Sequence, residues 1–221
     1  SAASDVYKRQ GVISAAAYPS FSNWKQSRDV RTDVLRAKKL FEAINAQVQR
    51  GQFAFVQVLI EVNDDNVVFT TKGMKTDTLT TKINNGDSEW NTSSASRCNI
   101  DNDDYWDVDG SEDTVIEVQT VTFDSITTIL STNAGVCFSK NAKWFSASPE
   151  FTSGDEDDPT YDERMFLCLK TSLLNTCQMN ETTGEPVDKE QKDIYSIDWT
   201  RFGDITIDKW SIANQDWALL Q

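Results

Sequence analysis

Val30, Val34, Ala37, Phe41, Ile44 and Val48 recur at spacings of 4, 3, 4, 3 and 4 residues. That is one apolar stripe of an amphipathic helix, which must be buried against something else. The stripe ends at Arg50-Gly51, where glycine suits a helix C-cap and arginine the negative end of the helix dipole. From Phe53 the period changes, and Phe53 to Val62 is a β-branched and aromatic run. One long helix followed by strands is therefore the frame on which the 221-residue chain must be arranged.

The strands expected after Phe53–Val62 are Val67–Thr71, Thr78–Ile83, Val115–Phe123, Ile126–Leu130, Val136–Ser139, Lys143–Ser146, Met165–Lys170, Ile194–Trp199 and Ile205–Trp210. Lys72-Gly73 reads as a turn. Long loops are expected at Asp87–Asp113, Pro149–Glu163 and Asn175–Asp193, lengths that are uncommon unless functional or mobile. The pattern gives an α+β protein in which the helix packs on an antiparallel sheet or sandwich. No internal repeat or second domain boundary is visible.

Charge narrows the function. The net charge is −14 and the chain has no histidine. The acidic balance opposes a nucleic-acid backbone as main partner, and the missing histidine removes His-based triads and zinc sites. No Ser elbow or phosphate loop is present, and carboxylates are too frequent for any pair to signal glycosidic chemistry. The reading is non-enzymatic. The helix departs from the acidic trend. Lys25, Arg28, Arg31, Arg36, Lys38, Lys39 and Arg50 face only Asp29, Asp33 and Glu42.

Cys98, Cys137, Cys168 and Cys177 contain no C-x-x-C pair. In an exported domain four cysteines favour two disulfides, and three pairings are open. Cys168–Cys177 and Cys98–Cys137 are the favoured set, the first tying a strand to the loop after it. Asp101, Asp103, Asp107 and Asp109 crowd one loop and invite a calcium reading, although the EF-hand register fails at Gly110. A solvated acidic loop is the plainer alternative, and no other cofactor is expected.

Ser1 to Gln10, SAASDVYKRQ, resembles the in-frame translation of a transposase-type sequencing adapter, and is set apart from fold reasoning. Gly11 to Trp24, GVISAAAYPSFSNW, then the helix, Arg50-Gly51-Gln52 and a strand, resemble type IV pilins and type II secretion pseudopilins. The GspH/FimT-type minor pseudopilins are most similar. The resemblance covers about Gly11 to Val58, with a weaker echo at Tyr195–Ile207 around Arg201-Phe202-Gly203.

The resemblance implies a pilin-like fold in three parts. Residues 1–10 are the adapter-derived segment, 11–51 a spine helix and 52–221 a β-rich head. It implies a structural subunit held in the bacterial inner membrane with a periplasmic head, then assembled into a pilus or pseudopilus. Its partners are other pilin or pseudopilin subunits, the inner membrane, and a prepilin peptidase acting on an N-terminal stretch replaced here by the adapter. Gly11, Ala15, Ala16 and Ala17 would let helices approach, Pro19 would set a bend, and Val30, Val34, Phe41, Ile44 and Val48 would seat the head. A tip adhesin is the alternative, with an exposed Trp106 and the long loops as contacts. DNA uptake is disfavoured, because Asp204 follows Gly203 and Lys209 is the one basic residue from Phe202 to Gln221. An unrelated extracellular β-sandwich is the third possibility.

Overall fold

The computed structural model describes residues 2–86, 106, 115–129, 134–139, 144–146, 164–171, 176–180, 183–199 and 204–220. The first element, α1 (Ala2–Gln49), continues through Pro19. It stops where the stripe stops. Gly51 takes a left-handed φ of 76°, its N–H donates to Val48 O at 2.9 Å, and Arg50 N–H donates to Ala46 O at 3.1 Å. Those bonds satisfy carbonyls that a helix end leaves open, and glycine meets the backbone requirement without a Cβ clash.

The chain then enters β1 (Phe53–Val62), β2 (Val67–Lys75), α2 (Thr76–Asn84), β3 (Val115–Phe123), β4 (Ile126–Thr128), β5 (Ala134–Ser139), β6 (Trp144–Ser146), β7 (Arg164–Leu169), β8 (Ile194–Trp199), β9 (Ile205–Ser211) and β10 (Asp216–Leu219). Among the described residues these strands form two five-stranded sheets, ordered β3-β2-β1-β5-β6 and β10-β9-β8-β7-β4. Every recorded pairing is antiparallel.

α1 contacts strands of both sheets, so a single core is shared by three layers. Val30, Val34, Ala37, Phe41, Ile44 and Val48 are all buried in it, as the spacing requires. On β1 the residues facing the helix are Val56, Val58 and Ile60, while Phe55 lies in a cluster on the opposite face. Strict alternation would put Phe53 with Phe55. A register shift between them turns Phe53 into the helix-side core instead, as a bulge does.

Two expectations fail near this bulge. Gly73 is not a turn residue, because β2 runs straight through it. A Cβ at Gly73 would lie 2.6 Å from the Phe53 ring, so the glycine is needed for close approach. Gly73→Ala is expected to cost roughly 1–3 kcal/mol by overpacking. Urea unfolding checks it, and the cost should shrink in a Phe53→Ala background.

Thr78–Ile83 is not a strand but most of α2. Leu79 is buried against Phe55, Met74, Trp106, Val115 and Cys137, on the face of the first sheet away from α1, and Ile83 packs beside that cluster. Asp77 in the first turn and Lys82 in the last complement the helix dipole. The threonines that suggested a strand bond back to the preceding turn, Thr80 Oγ1 to Thr76 O and Thr81 Oγ1 to Asp77 O.

The expected loop before β8 is partly pinned. Cys168 and Cys177 form a disulfide, Cys177 N–H donates to Thr128 O at 2.7 Å, and Trp210 Nε1 donates to Lys189 O at 3.0 Å. This segment covers Cys168, Ile194 and Trp210 on the second sheet's far face.

Candidate functional site

α1 has two different sides. Its inner side is the buried stripe. Before Val30 the described side chains from Phe21 are exposed, except for half-buried Ser27 and Asp29. The head therefore grips the helix from about Ser27 onward. Gly11, Ala15, Ala16, Ala17 and Pro19 lie in the part of α1 ahead of that grip.

Polar groups fix the seat of the helix on each sheet. On the first side, Asp33 is 7% exposed. It accepts from Arg36 Nη1 at 2.9 Å and from Ser125 N–H, in the β3–β4 turn, at 3.3 Å. The Arg36 guanidinium also lies 5.1 Å from the Phe123 ring centroid, within cation–π range.

On the second side, Asp193 is buried beside β8 in a left-handed conformation, φ 58°. Lys209 Nζ donates to its Oδ1 at 3.0 Å, and Ser27 Oγ of α1 donates to its Oδ2. Lys209 also lies over the Tyr195 ring at 5.3 Å. Burial pushes the Tyr195 hydroxyl above its usual range, with Lys209 opposing and Asp193 reinforcing. Burial works against the Lys209 charge, but the Asp193 hydrogen bond and Tyr195 outweigh it and hold the ammonium above its usual value. None of Asp33, Asp193 or Lys209 was a candidate from sequence. The contacts that give them their roles, Asp33 with Ser125, Asp193 with Ser27 and Lys209 with Asp193, span 92, 166 and 16 residues, so no local pattern marks those contacts.

The second sheet carries a separate acidic pair, Asp198 on β8 and Asp208 on β9. Arg164 Nε lies 3.2 Å from Asp198 Oδ1. Burial nevertheless pushes the Asp198 carboxyl up to about 7, Arg164 pulling it down and Asp208 pushing it further up. Below that value the Asp198 carboxyl keeps a proton that the unfolded chain has already lost above 3.8. A carboxyl with a raised folded value binds more protons folded than unfolded, so stability falls as pH climbs from 3.8 to about 7. Asp198→Asn is expected to flatten that decline and to stabilise the protein by about 2 kcal/mol above the window. Thermal melts across pH check it.

Cys168–Cys177 is a disulfide, as favoured. Cys137 is buried and is also not a free thiol, while Cys98 lies outside the described residues. Asp101, Asp103, Asp107 and Asp109 lie outside them too, as do Arg201-Phe202-Gly203. Trp106 was expected to be exposed. It is 3% exposed, packed with Phe55, Met74 and Leu79, and its carbonyl accepts from Lys72 Nζ at 3.0 Å. The aromatic contact that favoured an adhesin is thus a core residue. Among the described residues no helix is long and apolar enough to cross a membrane.

The sequence matches no family model, and no curated protein or solved structure matches it either.

Proposed function

We propose that this chain is a structural, non-enzymatic minor pilin or pseudopilin subunit of a type IV pilus or type II secretion pseudopilus. The observation that carries the reading is the division of α1. From Ser27 onward the helix is seated in a two-sheet head, and ahead of that it continues as helix with its described side chains exposed. A subunit built this way can be held by one end of its helix while the head stays folded.

In this reading the subunit resides in the inner membrane with its head in the periplasm. On assembly the leading part of the helix leaves lipid and packs against the helices of neighbouring subunits. Gly11, Ala15, Ala16 and Ala17 permit close approach there, since small side chains let helix backbones come together.

Cross-linking in cells tests this. The full-length gene, carrying Ala16→Cys, is expressed with its neighbouring assembly genes, and the sheared filament fraction is oxidised. Disulfide-linked dimers are expected there, and should be absent for Asp64→Cys in the exposed β1–β2 turn. A monomeric protein confined to the soluble fraction would contradict the proposal.

A further inference from the structure

The outward side of α1 is not a plain solvated face. Among the described residues, the exposed large hydrophobics include Phe21 at 62%, Trp24 at 55% and Leu35 at 38%. With about 100° of turn per residue, Phe21, Trp24, Arg28 and Leu35 fall within roughly 60° of arc, opposite the buried stripe. The Phe21 and Trp24 rings lie 5.8 Å apart, and the Arg28 guanidinium sits 5.3 Å from the Trp24 ring centroid. Lys25 is exposed beside them.

Two aromatic rings left in water cost free energy unless something covers them. The cover must be apolar at Phe21 and tolerate the amphipathic edge of Trp24. It must also carry negative charge for Lys25 and Arg28. A lipid headgroup boundary has all three properties, because Trp concentrates where acyl chains meet headgroups and basic residues pair with anionic lipid. An acidic protein surface would meet the cations but gives no reason for the rings.

We infer that Phe21, Trp24, Lys25 and Arg28 form an interfacial anchor for an anionic bilayer, placing the membrane surface just ahead of the head. This rests on the proposed function and adds the depth at which the unassembled subunit sits. The acidic head is repelled by the same surface, which keeps it turned away.

Vesicle flotation of the whole chain tests the inference, with phosphatidylcholine alone or mixed equally with phosphatidylglycerol. Binding to the mixed vesicles is expected, weakening with salt. Lys25→Gln and Arg28→Gln should each weaken it roughly fivefold, and the Phe21→Ala/Trp24→Ala double variant should abolish it. All four side chains are exposed, so melting temperatures should stay unchanged. Equal binding to both vesicles, binding indifferent to the double variant, or a concentration-dependent dimer lost with that variant would each overturn the anchor. Failure of the filament reading would appear instead in the cross-linking of Ala16→Cys.

Discussion

Phe41→Ala is expected to destabilise the protein by about 3–5 kcal/mol, the range for deleting a buried aromatic side chain. Phe41 is fully buried at the centre of the helix stripe. Its ring meets Phe69 of β2 edge-on at 6.1 Å and Phe138 of β5 at 5.7 Å, and Phe69 in turn meets Phe123 of β3 at 4.9 Å. The substitution opens a cavity where the helix and the first sheet join, and surrounding aromatic rings cannot collapse into it without leaving their own contacts. Such a loss is a large share of an ordinary domain's stability. Urea unfolding gives the value. Phe41→Leu should cost less than half as much, because most of the volume is kept.

Asp193→Ala is expected to cost about 3 kcal/mol, combining a charge-assisted hydrogen bond with a left-handed residue that alanine tolerates poorly. Lys209 is partly open to water, which limits the cost of leaving it unpaired. Asp193→Asn keeps the tolerance for the left-handed conformation and an acceptor for Ser27, so it should cost about half as much. The pH dependence separates charge from packing. Lys209 has a raised folded value, so its contribution is complete below the usual 10.5 and disappears as pH rises through the folded value. The difference between wild type and Asp193→Ala should therefore narrow in strong alkali. Because Ser27 is the first helix residue held by the head, amide exchange near Ser27 should also accelerate in the variant.

These two positions show what the chain discloses locally and what it does not. Phe41 was legible because a helix that buries one face has to repeat its apolar residues every three or four positions. Gly51 was legible for a similar reason, since a helix end of this kind needs a left-handed residue. Most strands could be placed because β-branched runs and polar turns alternate along the chain. Asp193 carries no such mark. Its role exists only once β8, β9 and α1 meet. Gly73 misled because its constraint is the ring of Phe53, on the paired strand, rather than a turn. In α2 the run read as a strand, whereas Leu79 and Ile83, four apart, share the helix face that packs on the first sheet. β10 was missed because the turn before it has no glycine, Gln215 taking the positive φ of 50°. Trp106 looked like a surface aromatic because its neighbours in sequence are acidic, yet its neighbours in space are apolar.

The filament reading stands or falls on what the gene encodes ahead of Gly11. Reading the coding DNA upstream of that codon in the source genome is the most direct test. The account predicts a short basic leader, a cleavage site ending in glycine, and an apolar run of about 20 residues containing one glutamate, in frame with GVISAAAYP. An open reading frame that enters Gly11 without that pattern would contradict it.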